Sequence, residues 1–323
     1  MTATIFDIAR LAQTSKSTVS RVISGKGYVS QAKRQAILAA IDTLHYVPSQ
    51  AARNMRRQQT HIIGFLISDY FQLAGEFLTA FGKAADAQGY HVNVYFTQTA
   101  ERELTVLNGL MDHSLDAAFL LTRLNHWVRL TPYAQFGPLA TWQRVDSPVI
   151  YSSYVDHYPL YMQLLRRLAA QGYRRIGSVF TGTRHANTQA KLQALKDFQA
   201  EDPAVDTSWV QYHEGQHGAG SQAADVWLTT PQRPDAVICF SDSVAAAFIA
   251  HLREAAIRVP QDVAVVGMDN SEISRLMGIT TVDLHIEAQA ENDFAYLYNR
   301  LNEPQQLMKP VVPKIIERQT TNY

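Results

Sequence analysis

The chain has 323 residues, too many for one ordinary domain, and its 46% hydrophobic and 18% charged composition is that of a soluble globular protein. No apolar run approaches the length of a membrane span, and the N-terminus MTATIFDIARLAQ carries polar and acidic groups where a signal peptide needs a basic start and an apolar core, so a cytoplasmic protein without a membrane partner is expected. The formal net charge of +0 hides an uneven split: residues 1 to 60 hold 9 Lys and Arg against 2 Asp and Glu, net +7, which leaves 20 against 27, net −7, for the rest.

Thr4 precedes an apolar helical pattern, Ile5, Phe6, Ile8, Ala9, Leu11 and Ala12, with Asp7 three residues on as in a capping box. That pattern stops at Gln13-Thr14. Ser15 then caps a second helix, Lys16 to Ile23, with Val19, Val22 and Ile23 on its apolar face and Lys16, Ser17, Ser20 and Arg21 on or near the other. Gly25 and Gly27 end it, and Ser30 caps a third helix to about Leu44 whose stripe is Ile37, Leu38, Ile41 and Leu44. Three short helices joined by tight turns make a helix-turn-helix unit. A basic unit of this kind on an acidic body suits DNA, because Lys and Arg release condensed counterions from phosphates while the body is repelled by them.

The stretch TIFDIARLAQTSKSTVSRVISGKGYVSQAKRQAILAAIDTLHYVPSQAARNMRR resembles the headpiece of the lac-repressor (LacI/GalR) family nearly residue for residue. The resemblance runs through D-I-A-x-x-A, S-x-x-T-V-S-R-V, the V-S that opens helix three and Y-x-P-S-x-x-A-R at the hinge. It implies a headpiece over residues 1–48, a hinge helix and linker over 49–60, and an effector-binding and dimerisation domain over 61–323. A recognition helix presents its N-terminal side chains to base edges, which puts Lys16 and Ser17 in position to specify sequence. Thr18, Ser20, Arg21, Tyr28 and Ser30 are better placed for phosphates, Ser15 both caps and contacts DNA, and Thr4 and Tyr46 complete the set before the hinge. In Tyr46-Val-Pro-Ser-Gln-Ala-Ala-Arg-Asn-Met55, Pro48 disfavours helix at Val47 while Ser49 caps a helix through Arg57 that is too short to be stable alone. The resemblance implies that this helix folds only on operator DNA, pairs with its dimer mate and wedges Met55 into the minor groove. Arg53, Arg56 and Arg57 would hold phosphates or the narrow groove.

From His61 the periodicity changes to alternating strand and helix signals, the mark of parallel sheets covered on both faces. Strand-like runs are IIGFLIS, HVNVYFT, AAFLLT, PLATW, VIYSS, IGSVFT, AVICF and VAVVGM. Two similar series predict two doubly wound α/β lobes, the periplasmic-binding-protein-like fold that the resemblance also implies, with lobe 1 over about 61–152 and 286–308 and lobe 2 over about 153–285 and 309–323. Ligands bind outside the carboxyl ends of such strands. The residues there are Asp69, Tyr70 and Phe71 after the first strand, Gln143 after Trp142, Tyr151 within VIYSS, Asn187 and Lys191 beyond Thr181, Ser241-Asp242 and Asp269-Asn270. Polar groups with aromatic faces suit a sugar. CFSDSVAAAFIAHL resembles the family's N-D-x-x-A-x-G stretch and VPQDVAVVGMDN its V-P-x-D-[IV]-x-[IV]-x-G-[YF]-D, in which the aspartate, here Asp269, commonly accepts hydrogen bonds from effector hydroxyls. Lys191 stands where the family usually has arginine and Ser241 where it often has asparagine. Two plainer readings stay open: Asp242 as a helix cap, and Lys191 as a solvated helix residue.

His213-Glu-Gly-Gln-His217 matches the zinc-protease pattern H-E-x-x-H, whose chemistry needs both histidines one turn apart on a helix. Here WVQYH reads as a strand and Gly215, Gly218 and Gly220 make the segment a loop, so no metal, cofactor or enzymatic activity is expected. Cys239, the single cysteine, lies in AVICF as a buried, inert thiol. The expected partners are double-stranded operator DNA, a small-molecule effector and a second copy of the chain, since near-palindromic operators mirror a twofold axis. The expected function is a repressor released by a sugar; a corepressor-dependent regulator with a non-sugar effector is the alternative.

Overall fold

The computed structural model describes residues 3–25, 27–46 and 59–321, and the chain separates into two compact units, Met1–Thr60 and His61–Tyr323. In the first, α1 is Ile5–Leu11, α2 Lys16–Ser24 and α3 Gln31–Thr43. Their seam is Ile8, Val19 and Ile37, all fully buried, with Ala9, Val22 and Ala40 beside them. The Asp7 carboxylate accepts the Thr4 N–H at 2.9 Å and its hydroxyl at 2.6 Å, which closes the expected first turn. Gly25 takes the left-handed conformation (φ +68°) that ends α2 without a Cβ penalty. Two expectations need correcting. Leu38 is exposed and Ala40 takes its place in the seam, because positions 37, 40, 41 and 44 share one helical face and 38 is a step round from it. Ser30 sits at the cap position of α3, but its hydroxyl makes no capping bond.

The second unit contains the eight expected strands. Strands β1 Ile62–Ile67, β2 His91–Phe96, β3 Ala117–Leu120, β4 Leu139–Thr141 and β5 Ile150–Ser152 form a parallel sheet in the order β2-β1-β3-β4-β5. Helices α4 Gln72–Ala87, α5 Ala100–Met111 and the short α6 Trp127–Leu130 connect its strands. The next helix, α7 His157–Ala170, leads to a second parallel sheet, order β7-β6-β8-β9, made of β6 Ile176–Phe180, β7 Val210–Tyr212, β8 Ala236–Cys239 and β9 Ala264–Val266. Its helices are α8 Ala186–Glu201, α9 Ala219–Thr229, α10 Asp242–Glu254 and α11 Glu272–Met277. The central strands read as near-continuous apolar runs because both faces are covered, with β3, β6 and β8 buried throughout, whereas the edge strand β2 is exposed or half-buried along its length.

The strand β10, Thr281–Asp283, is an element the sequence pattern did not announce; it pairs antiparallel with β11, Lys314–Ile316. Hydrogen bonds from Gly267 N to Thr280 O (2.8 Å) and from Val265 N to Thr320 O (2.9 Å) tie this ribbon alongside β9. Between β10 and β11, α12 Ile286–Leu301 returns to pack on α4 and the first sheet. The backbone thus passes between the two sheets at residues 153–156, 284–285 and 302–313, and the carboxyl ends of both sheets are brought to one space. No helix among the described residues is long and apolar enough to cross a membrane.

Candidate DNA-reading face and interlobe site

At the start of α2 the Ser15 hydroxyl accepts the Thr18 N–H at 3.2 Å and lies 2.8 Å from both the Ser17 and Thr18 hydroxyls. Three hydroxyls therefore ring the N-terminus of the recognition helix, where the helix dipole favours an anion. Lys16, Ser17, Arg21 and Tyr28 are exposed, Tyr28 at 90%, and Ser20 and Thr18 are half-buried. The Lys16 ammonium rests 4.6 Å above the ring of the exposed Phe6, and the stem of Arg21 lies against Gly27. Tyr46 packs on the headpiece core and donates its N–H to Ile41 O at 3.0 Å, so its first role is structural. Ser49, Arg53, Met55 and Arg56, with Arg57, lie outside the described residues.

In the second unit, a small cavity is lined by Gln72 and Leu73 from the start of α4, by Ser243 from the first turn of α10, and by Gln216, Asp269 and Ser271 from the loops at the carboxyl ends of the second sheet. Beside it, Phe71 stacks on Trp142 (ring centroids 6.1 Å, 22° between planes), and Trp142 is fixed by its own N–H to Leu121 O at 2.6 Å and by an edge contact with Phe77. The nearby Asp69 and Tyr70 are exposed.

Two neighbouring aspartates have opposite environments. The Asp242 carboxylate accepts Thr281 Oγ1 at 2.5 Å and both the backbone N–H (2.7 Å) and hydroxyl (2.9 Å) of Ser271. Burial raises its pKa, and those donors oppose the rise. Gly267 is required beside it, since a Cβ there would collide with the carboxylate. Asp242 therefore belongs to the scaffold, latching the β9–α11 loop to β10. It neither contacts the cavity nor caps α10; the cap is Ser241, which accepts Val244 N at 3.3 Å. Asp269, by contrast, holds a positive φ of +113°, lines the cavity and receives no side-chain hydrogen bond among the described residues. Burial pushes its carboxyl well above the ordinary range, helped by the charge of Asp242 and opposed by Lys191.

Lys191 is 4% exposed, which removes the solvated-helix reading, and its ammonium makes no hydrogen bond or ion pair among the described residues. It sits 6.0 Å from the ring of Tyr161, and burial lowers its pKa to about 8 against the pull of Asp269. Other predicted members are engaged elsewhere. Gln143 donates to Leu121 O at 2.9 Å, which makes it a support for the loop. Tyr151 is a correction: its ring is stacked on Tyr296 of α12 at 4.8 Å, and burial, then the nearby Asp293, raises its pKa to about 12. Asn187 is exposed on the first turn of α8.

Four residues escaped the sequence reading. Arg123 follows β3 as Asp69 follows β1, so the same strand-end rule would have found it; its Nε is buried and unpartnered, and its charge reaches His185 at the start of α8. The buried Glu103 carboxylate anchors that loop by accepting Leu124 N, Asn125 N and Asn125 Nδ2 at 2.7 to 2.9 Å. Tyr154 and His157 lie on the 153–157 passage, with rings 6.3 Å apart and with the Tyr154 hydroxyl and His157 Nδ1 both buried and unpartnered. No local signal marks them. The His213–His217 segment is the loop that follows β7, with His213 Nδ1 3.1 Å from Gln222 Oε1 and Glu214 paired to Arg184.

Residues 4–49 match the family described as bacterial regulatory proteins, lacI family, and residues 165–321 match the periplasmic binding protein-like domain. The chain is 30% identical over 342 residues to the HTH-type transcriptional repressor PurR of Escherichia coli O139:H28, covering 98% of this chain and 96% of the relative. Among solved structures, the lac repressor dimer bound to operator and the anti-inducer ONPF superposes with a TM-score of 0.83 at 20% identity, covering 99% of each chain. A LacI family regulator from Lactobacillus casei with bound sucrose superposes with a TM-score of 0.73 at 25% identity, covering 80% of this chain and 99% of that one.

Proposed function

The chain belongs to the LacI family of bacterial regulatory proteins and is a DNA-binding transcriptional regulator, not an enzyme; from that premise we propose that it is a homodimeric repressor, released from its operator by a sugar bound between its lobes. The observation that carries the ligand class is Asp269, a carboxylate in the cavity wall without side-chain donors, whose charge acts on the buried, acceptor-less ammonium of Lys191, beside the fixed aromatic faces of Phe71 and Trp142. A carboxylate and an ammonium oppose one another across a polyol by accepting from and donating to its hydroxyls, and an aromatic face covers the C–H side of a sugar ring. The sucrose bound to the Lactobacillus casei regulator and the repressor role of PurR support the same reading.

The cavity encloses about 10 Å³, room for little more than one water, so a sugar enters only when the lobes move apart. A ligand that holds the lobes in one relative position changes operator affinity only through differential binding to the two states, typically 5- to 150-fold. The test is fluorescence anisotropy of the full chain on a palindromic operator selected from a random duplex library, titrated with a sugar panel. A sugar that weakens the complex 5-fold or more is the expected result. An active ligand that tightens it would overturn the inducer reading, and sedimentation showing a monomer that still binds operator tightly would overturn the dimer.

A further inference from the structure

The polar atoms left without partners around the cleft are unequal in kind. Arg123 Nε and the Tyr154 hydroxyl donate, and His157 Nδ1 donates in one of its two neutral tautomers; Lys191 Nζ, a further donor, makes no hydrogen bond among the described residues, and Asp269 in the cavity wall is the acceptor whose charge acts on it. Lys191 is 4% and His157 6% exposed, so neither is solvated as an ordinary surface group would be. The two belong together. His157 and Tyr161 lie one turn apart on α7, Lys191 approaches Tyr161 from α8, and the Lys191 charge acts on His157. A buried ammonium is costly unless a counter-charge and acceptors compensate it, and Asp269 is not within ion-pair distance. The guanidinium of Arg123 adds a second cation from the first sheet, half-buried over Trp127.

A neutral sugar does not balance this set, because each hydroxyl brings a donor with every acceptor, whereas an oxyanion brings lone pairs alone. We propose that the effector carries an oxyanion, a carboxylate or a phosphate ester, on a hydroxylated carbon skeleton, and that Lys191 and His157 receive that group while Asp269 takes hydroxyls at the other end. The inference rests on the sugar reading above and narrows it to sugar acids or sugar phosphates. Asp269 is compatible with an anion nearby, since burial holds its carboxyl well above the ordinary range and so lessens its own charge.

Isothermal titration calorimetry of the full chain against D-gluconate, D-glucuronate and D-glucose 6-phosphate, each compared with D-glucose and repeated in the galacto series, tests the charge directly. At least one anion should bind 10-fold or more tighter than its neutral parent, and the carboxylate and phosphate arms identify which oxyanion is meant. Lys191→Met should reduce the preference by about 10- to 100-fold, the range of a lost charged hydrogen bond, while Lys191→Arg keeps it. If the Met variant does not fold, Lys191→Gln and the wild-type comparison carry the same reading. Neutral sugars binding as tightly as the anions, none of the anions binding at millimolar concentration, or an undiminished preference in Lys191→Met each overturn the proposal. Binding of neutral sugars alone sinks it but leaves the sugar reading standing. If acetate or inorganic phosphate binds as well as the sugar acids while no neutral sugar binds, the anion site stands and the sugar reading falls.

Discussion

The headpiece and the cleft solve the same problem, holding polar side chains ready for a ligand, by opposite means. On the headpiece, each group is held by partners two to four residues away: Thr4 by Asp7, and Ser15 by Ser17 and Thr18. Its reading side chains stand in water, where an unused ammonium costs nothing and Lys16 simply lies on Phe6. In the cleft the partners are remote, 39 residues for Asp242 and Thr281 and 29 for Asp242 and Ser271, and Arg123 Nε, the Tyr154 hydroxyl and His157 Nδ1 are buried with their hydrogen-bonding capacity unspent. A DNA phosphate is an abundant, strongly charged target that exposed cations find unaided. A small neutral or singly charged ligand has to be given its binding energy by desolvated groups arranged in advance, and those groups are a standing cost to the fold.

The largest test of that contrast sets the two aspartates against each other. Asp242→Ala removes an acceptor from three buried donors and should lower stability by about 3 to 5 kcal/mol, read as a fall in the urea midpoint with or without ligand. Asp269→Asn replaces a carboxyl that receives no side-chain hydrogen bond and whose ionisation burial already opposes, so it should leave the midpoint unchanged or raised while abolishing the effector response. Equal losses of stability in the two variants would erase the distinction between latch and ligand group. A smaller effect is expected on the exposed side. Lys16→Ala should alter preference between operator half-site variants by about 1 to 3 kcal/mol without touching the melt, whereas Arg21→Ala should weaken binding to all sequences and lower the salt slope by about 1. Unchanged relative affinities across operator variants would remove Lys16 as a reader. Ser15→Ala comes next, with about 1 kcal/mol lost from the headpiece alone through its cap; a shift in the melting of the second unit would contradict so local a role.

The same contrast decides what could be read from sequence. Caps, glycine stops and buried parallel strands are local signals, and the eight strands and three headpiece helices were legible because each is specified within about ten residues. Leu38 and Ser30 show the limit of that reading: one was an apolar residue off the seam, the other a cap position without a capping bond. In the cleft, strand-end position pointed to Asp269, which lines the cavity, to Phe71 beside it and to the exposed Asp69, and applied to β3 it points to Arg123, but it could not tell which groups are already committed. Asp242, Gln143 and Tyr151 looked like ligand groups until their partners at Thr281, Leu121 and Tyr296 were seen. His157 and Tyr154 gave no sign, because what makes them noteworthy is a missing partner, and absence of a partner is a property of the folded chain only.

Asp293 offers the smallest effect and a check on whether unspent groups are confined to the ligand side. It lies on α12, fully buried, with Oδ2 accepting the Ser153 hydroxyl at 2.6 Å at the start of the 153–156 passage and Oδ1 without a partner. Burial pushes its pKa well above 3.8, and the Ser153 hydrogen bonds only partly oppose it. The folded state therefore keeps this proton to higher pH than the unfolded chain does. As pH rises above 3.8 the unfolded chain binds fewer protons than the folded one, so the stability Asp293 contributes is complete in acid and is lost until pH passes the folded value. Asn keeps the shape and an acceptor for Ser153 but cannot ionise. Asp293→Asn should thus flatten the decline, with stability at pH 8 equal to or up to about 1 kcal/mol above wild type and no gain at pH 4. Urea midpoints of both proteins at pH 4, 6 and 8 measure it. Parallel pH profiles would mean that Asp293 is ionised in the fold, with a counter-charge or water meeting Oδ1, and the passage between the lobes would then carry no uncompensated group of its own.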